Sequence, residues 1–273
     1  MPSPDSITVA QLSRLIGTPD APIIVDVRIT ADRALDPRTL PASINRDFRT
    51  VRDWAGGFTG KPVVVSCQRG QKLSQGVAAW LRHSGARAEN LEGGFEAWVQ
   101  AGALLVKPEQ VPPRDPSGRT VWVTRARPKI DRIACPWLIR RFIDPGAVFL
   151  FVAPPEVSDV ADRFGATPFD VEGIFWSHRG ESCTFDVMLD EFGLHSPALD
   201  RLATIVRGAD TARLDAAPEA AGLLAASLGL SRMFRDDLAQ LDAAMMLYDS
   251  FYRWARDATA ETHNWPATPG PRA

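Results

Sequence analysis

The sequence is poor in cysteine and contains no long apolar run. Its 273 residues include three cysteines, four histidines and two tyrosines. Three cysteines cannot form the dense disulfide framework of a small secreted protein. No stretch of about 18 or more apolar residues predicts a membrane helix, and the opening MPSPDSITVAQL lacks the basic, apolar and small-residue regions of a secretory leader. We therefore expect a cytoplasmic protein with no membrane partner.

The chain as a whole also has no large excess of basic or acidic residues. The 31 basic residues nearly balance the 33 acidic ones, unlike the balance of a non-specific nucleic-acid binder. The charges are nevertheless segregated: residues 119–141 contain seven basic residues and one acidic residue, whereas residues 142–273 contain ten basic and twenty acidic residues. The second half therefore combines a basic block with an acidic remainder.

Hydrophobic residues make up 45% of the chain and charged residues 23%, which excludes fibrous and wholly disordered classes. The length favours two domains. Residues 107–118 contain four prolines and predict an extended linker. This divides the chain into a domain at 6–106 and a domain at 119–262, with a flexible tail at 263–273.

Hydrophobic patterning predicts an α/β fold in the first domain. Apolar β-branched runs at 23–27 and 62–66 are followed by helical patterns at 77–81 and 95–98. Such strands indicate a parallel sheet with helices on both faces, and ligands of such sheets bind beyond the carboxyl ends of the strands. The second domain is expected to be mixed α/β to mostly helical. Its predicted strands lie at 120–124 and 147–152, and its predicted helices lie around 137–143, 199–206 and 237–258.

Cys67 ends the second of these strands, and a helical pattern begins a few residues later. Backbone N–H groups of the intervening loop and the positive end of the helix favour an anion there. Arg69 and Lys72 would stabilise a thiolate and hold an anionic substrate, and Gly70 permits a tight turn. We expect an ionised, solvent-open sulfur at Cys67. The alternative is a buried, inert cysteine at a strand end.

Four sequence blocks resemble the rhodanese family in its single-domain form. They are IVDVR at 24–28, LPASIN at 40–45, CQRGQK at 67–72 and LEGGFEAW at 91–98. The resemblance implies a sulfurtransferase without a cofactor, in which Cys67 takes sulfur from thiosulfate or another anionic donor as a persulfide and passes it to a thiol or cyanide. Lys72 stands where the family often has arginine. Leu73 stands where cysteine-loop phosphatases need arginine, so phosphate-ester chemistry is not expected.

The basic block of the second domain offers a candidate oxyanion site. Arg125, Arg132 and Arg140 surround a predicted strand-to-helix transition, a setting suited to gripping an oxyanion. The alternative is a solvated face that balances the acidic remainder. Metal binding is left unknown because CxxC and HxxxH pairs are absent. The candidate ligands are Cys135, His178 and Cys183, with Asp170, Glu172, Glu181 and His195 as possible additions.

Residues 119–262 resemble the C-terminal domain of the chromate-resistance ChrB-type family. The stretches that carry this resemblance are 125–145, 165–173, 183–186, 205–211 and 248–249. The resemblance implies a role in chromate resistance, with chromate as a possible ligand. A rhodanese-like domain stands where regulatory members have a DNA-binding segment, so DNA is a doubtful partner. The alternative to a sulfurtransferase is a chromate-responsive sensor or transcriptional regulator with a non-catalytic rhodanese module.

Overall fold

The structure is a computed structural model that describes residues 5–262. The predicted tail at 263–273 lies outside the described residues. Within residues 5–262, none of the helices has both the length and the apolar character needed to cross a membrane.

A five-stranded, fully parallel sheet forms the first domain. Its spatial order is β1-β5-β4-β2-β3. The strands are β1 (Ser6–Ile7), β2 (Ile23–Asp26), β3 (Ile44–Asn45), β4 (Pro62–Ser66) and β5 (Arg87–Leu91). The helices are α1 (Val9–Leu15), α2 (Thr30–Leu35), α3 (Val51–Trp54), α4 (Lys72–His83) and α5 (Gly94–Gln100).

Alternating side chains of the strands enter two different cores. Val64 of β4 packs in a cluster that includes side chains of α1 and α5, whereas its neighbours Val63 and Val65 pack in a second cluster with side chains of α3 and α4. A strand whose two faces are both covered is continuously apolar. The prediction of a parallel sheet with helices on both faces is therefore confirmed.

A smaller parallel sheet and six helices form the second domain. The sheet order is β7-β6-β8. The strands are β6 (Val121–Arg125), β7 (Val148–Val152) and β8 (Thr167–Pro168). The helices are α6 (Ile130–Leu138), α7 (Val157–Phe164), α8 (Thr184–Phe192), α9 (Pro197–Asp210), α10 (Ala220–Met233) and α11 (Asp237–Asp257). A π-helical turn, Ile139–Ile143, extends α6, and the predicted mixed, helix-rich architecture is confirmed.

One hydrophobic core joins the two domains. The cluster on the α1 and α5 side of the first sheet continues into the aromatic core of the second domain, around Trp137 and Phe142. The Phe142 carbonyl accepts a hydrogen bond from the Ala42 N–H at 2.6 Å. The proline-rich segment is itself docked, because the Lys107 N–H donates to the Phe192 carbonyl at 3.0 Å. The domain bounds derived from this segment stay a prediction.

Candidate functional site

Cys67 directly follows β4, the middle strand of the first sheet. Its carbonyl accepts a hydrogen bond from the Phe95 N–H at 2.9 Å, and the Gln68 carbonyl accepts one from the Glu96 N–H at 3.0 Å. Both donors lie in the first turn of α5, where backbone N–H groups have no intrahelical partner. The loop that carries the cysteine is thereby fixed to the start of this helix.

Two glycines allow this close approach. Gly70 has φ +64°, and a Cβ there would lie 2.4 Å from the Leu91 carbonyl oxygen and 2.6 Å from the Gly94 nitrogen. Gly94 has φ +59°, and its Cβ would lie 2.2 Å from the Cys67 carbonyl oxygen. A side chain at either position would separate the two segments. Close packing between the CQRGQK and LEGGFEAW blocks therefore explains why each carries a glycine at the point of contact.

The backbone N–H groups of residues 68–74 form a run without partners in the described part of the protein. Within residues 5–262, none of them donates to a protein acceptor, and α4 begins without a side-chain cap. These groups precede or form the first turn of a 12-residue helix, whose dipole places partial positive charge there. The loop can therefore accommodate negative charge beside Cys67.

The thiol itself contacts Ser74, a residue that the sequence reasoning missed. The Cys67 thiol donates to Ser74 Oγ at 3.2 Å, and the Ser74 hydroxyl donates to the Gln71 carbonyl at 3.1 Å. A hydroxyl can rotate and donate to a thiolate instead. A serine in the first turn of the helix after a cysteine loop is the signal that could have identified it.

The expectation that the Cys67 sulfur is open to solvent is wrong for this structure. Cys67 is only 5% exposed and packs in the α3–α4 side core, because the first turn of α4 lies over it through Ser74. Arg69 is exposed and pairs with Glu96, with Nε 3.3 Å from Oε1. Lys72 is exposed and forms no ion pair within the described part of the chain. Of the two predicted cations, Lys72 is the one not engaged by a carboxylate.

Asp26 and Arg28 hold the loops beside this site. Arg28 Nε donates to Asp26 Oδ2 at 3.0 Å, and its terminal nitrogens donate to the Asp36 and Arg38 carbonyls. Its guanidinium lies 3.6 Å from the centroid of the Phe95 ring. Both charged side chains are buried. These contacts give the pair a structural role, since they tie the end of β2 to the neighbouring loops.

A second polar site lies at the carboxyl ends of β6 and β8. Arg125 ends β6 and Arg132 lies in α6, and both approach Asp170 Oδ2, at 3.1 Å and 3.3 Å. The other oxygen of Asp170 accepts a hydrogen bond from the Thr184 hydroxyl at 3.0 Å. Asp170 has φ +52°, a strained backbone for a non-glycine residue. The two arginines thus converge as predicted, but on a carboxylate of the protein itself.

His178 lies among three carboxylates in this site. Its Nε2 is 3.2 Å from Asp210 Oδ2, 3.4 Å from Asp131 Oδ2 and 3.5 Å from Asp170 Oδ1. Asp131 lies in the first turn of α6 and is 1% exposed, and Asp210 ends α9. The Thr184 N–H donates to Asp131 Oδ2 at 2.6 Å. We call Asp131, Asp170, His178 and Asp210 the carboxylate–histidine cluster.

Proximity and burial shift the pKa values of the cluster. The hydrogen bond to Asp131 raises the pKa of His178 to about 9. Burial, followed by repulsion from Asp131, raises the pKa of Asp210 to about 7. Burial also raises the pKa of Asp131 and lowers that of Arg132. His178 is therefore positively charged at neutral pH when nothing else occupies the cluster, and it partly compensates the carboxylates.

Other predicted site residues lie apart from this cluster. Arg140 pairs with Asp242, Nη1 to Oδ1 at 2.8 Å, and its guanidinium lies 5.3 Å from the Phe149 ring centroid. His195 lies between Asp190 and Asp200 on the surface, and Glu181 pairs with Arg213. The predicted set of three arginines is thus not brought together as one site.

The cysteines do not form a metal site with His178 either. Cys135 and Cys183 are fully buried, and burial raises the pKa of both thiols well above the usual range. Among residues 5–262, the histidine, cysteine and acidic side chains that lie close enough to share one ion are Asp131, Asp170 and His178. Glu172 is not among them. The sequence reasoning missed Asp131, although it is the single acidic residue of the basic block.

Comparisons with known proteins find one family match in each half of the chain. The family model of the rhodanese-like domain matches residues 8–101, and that of the ChrB C-terminal domain matches residues 122–255. Protein ChrB of Cupriavidus metallidurans is 34% identical over 195 residues, which cover 67% of this chain. The chain spans 57% of the length of that relative.

Two solved structures are similar to the first domain. A rhodanese-related protein from Thermoplasma volcanium is 25% identical, with 37% of this chain and 96% of that chain covered and a TM-score of 0.33. A rhodanese-like domain protein from Staphylococcus aureus is 28% identical, with 34% and 90% covered and a TM-score of 0.31. From the sequence matches and the observed sheet, the chain consists of a rhodanese-like domain followed by a ChrB C-terminal domain.

Proposed function

We propose that the protein is a sulfurtransferase with a role in chromate resistance, and that it forms a persulfide on Cys67. The observation that carries this proposal is the Cys67 loop at the carboxyl end of β4, with seven consecutive N–H groups that lack protein acceptors within the described chain. The exposed Lys72 adds a cation that can attract an anionic donor. The match to ChrB supports the link to chromate resistance, and three free thiols support a reducing, cytoplasmic setting.

The proposed reaction has two displacements. The Cys67 thiolate attacks the outer sulfur of thiosulfate, a bond forms between the two sulfur atoms, and the sulfur–sulfur bond of thiosulfate breaks as sulfite leaves with the electron pair. An acceptor thiolate or cyanide then attacks the terminal persulfide sulfur, and the Cys67 thiolate leaves. The loop N–H groups are suited to stabilise negative charge in both steps. Because Cys67 is 5% exposed, the first turn of α4 must open for the donor to reach the sulfur.

Mass spectrometry of the intact, full-length protein after incubation with thiosulfate tests this proposal. We expect the wild-type protein to gain the mass of one sulfur atom, to lose it on addition of cyanide, and to carry it on the peptide that contains Cys67. The Cys67→Ser variant should gain no sulfur, while Cys135 and Cys183 remain as internal control thiols. Wild-type protein that gains no sulfur from thiosulfate or from a low-molecular-weight persulfide would refute the proposal.

A second candidate is a chromate-responsive sensor in which the rhodanese-like domain is a non-catalytic module. Two observations favour it: Cys67 is buried in the core, and Arg69 is paired with Glu96 instead of facing an open site. If the protein is such a sensor, its Cys67→Ser variant should bind chromate as tightly as the wild type does. Neither protein should then form a persulfide. The thiosulfate experiment therefore separates the two functions.

A further inference from the structure

We propose that Asp131, Asp170 and His178 bind one divalent transition-metal cation, with Asp210 at the edge of the site. Nothing in the sulfurtransferase proposal requires this site, because it lies in the other domain. Carboxylate oxygens with one imidazole nitrogen form a donor set that suits first-row cations such as Zn²⁺.

The first argument is an unpartnered oxygen. Asp131 is 1% exposed, and its buried Oδ1 accepts no hydrogen bond from any group within residues 5–262. A buried carboxylate oxygen left without a partner is costly. Its other oxygen is held by the Thr184 N–H and faces His178. Asp131 therefore brings a buried oxygen with unused acceptor capacity to the cluster.

The second argument is a mismatch between donors and acceptors. His178 Nε2 carries at most one hydrogen, yet oxygens of three carboxylates lie 3.2–3.5 Å from it. One N–H cannot donate to all three oxygens, and Thr184 donates to only two of them, those of Asp131 and Asp170. A cation can satisfy all three, because it attracts every oxygen around it. Ligand atoms about 2.1 Å from a tetrahedral cation are about 3.4 Å apart, which matches the spacing between the histidine nitrogen and the carboxylate oxygens.

The third argument concerns the groups around the ligands. Arg125 and Arg132 contact Asp170 through Oδ2, which leaves Oδ1 facing His178. The Thr184 side chain and N–H bind one oxygen each of Asp170 and Asp131. Such contacts orient metal-binding carboxylates, and their loss typically weakens metal binding about 10- to 100-fold. His178 is 41% exposed, so a cation can reach the site from solvent.

Titration of chelator-treated, full-length protein with Zn²⁺ by calorimetry tests the site, with Co²⁺ as a coloured substitute. We expect one saturating equivalent, and cobalt bands of a nitrogen and oxygen site without the near-ultraviolet band of a thiolate ligand. His178→Gln should weaken binding by at least about tenfold. The matched control is His195→Gln, because His195 also lies between two carboxylates but on the surface, and it should bind like the wild type.

Each contrary result overturns the proposal: no saturable binding, binding unchanged by His178→Gln, or an equal loss in His195→Gln. Circular dichroism shows whether each variant is folded. Should His178→Gln not fold, histidine-ring NMR of the wild-type protein decides the matter. A change in the chemical shifts of the His178 ring on addition of Zn²⁺ supports the site. A change confined to the His195 ring refutes it.

Discussion

Replacing Gly70 with alanine is expected to destabilise the protein more than replacing a glycine that has open space around it. At φ +64°, an added Cβ would meet the Leu91 carbonyl oxygen at 2.4 Å and the Gly93 and Gly94 nitrogens at 2.7 and 2.6 Å. The left-handed backbone costs about 1–2 kcal/mol for a residue with a Cβ. Displacing three backbone atoms adds about 1–3 kcal/mol. We therefore expect Gly70→Ala to lower the free energy of unfolding by about 2–5 kcal/mol.

Two glycines serve as controls in the same urea titration, followed by tryptophan fluorescence. Gly60 has φ +76° but no atom within 4 Å of its Cβ position, so Gly60→Ala isolates the backbone cost. Gly76 lies inside α4 with open space around it, and Gly76→Ala should stabilise the helix by about 1 kcal/mol. If Gly70→Ala lowers the free energy of unfolding no more than Gly60→Ala, the close packing of the Cys67 loop against α5 does not contribute as we argue.

Two further predictions concern the second domain. In chelator-treated protein, the free energy of unfolding should fall as pH rises from about 4 to 9, because the pKa values of Asp210 and His178 are both raised in the folded state, from 3.8 to about 7 and from 6.5 to about 9. In thermal melts, the decrease in stability above pH 6.5 should be smaller for His178→Gln than for the wild type. A wild-type stability that rises with pH over this range would contradict the raised pKa values of the cluster. Phe142→Ala should cost about 3–5 kcal/mol and increase hydrogen exchange in both domains, since Phe142 packs in the shared core and its carbonyl binds Ala42. Exchange that increases only within 122–255 would show that the domains are energetically independent.

The strongly patterned elements could be predicted from the sequence. Strands expected at 23–27, 62–66, 120–124 and 147–152 are observed as Ile23–Asp26, Pro62–Ser66, Val121–Arg125 and Val148–Val152, and the helix expected at 237–258 is Asp237–Asp257. Six helices were not predicted: the short helices α1, α2 and α3 of the first domain, and α7, α8 and α10 of the second. The α7 helix has a clear apolar face but only eight residues, too few for a secure periodicity. The α8 helix is buried on nearly all sides, and α10 carries apolar residues around much of its surface. Without one dominant apolar face, the periodicity of these two helices gave no clear signal.

The candidate sites were less accessible to sequence reasoning because they depend on contacts between distant segments. The Cys67 loop follows from local sequence, but its burial by Ser74 depends on how the first turn of α4 sits over the strand end. The carboxylate–histidine cluster joins residues 131, 170, 178 and 210 from four separate segments. No spacing rule links them. Asp131 in particular is the acidic exception in a basic block, and its role emerges only from its burial.

The arrangement of the cores determines how the two sites relate to each other. Cys67 packs with α3 and α4 on one side of the first sheet, whereas the second domain joins the core on the opposite side, through α1 and α5. Phe95 links the two regions, because its N–H donates to the Cys67 carbonyl and its ring belongs to the shared core. The position of the Cys67 loop and the packing of the core between the domains therefore depend on the same residue.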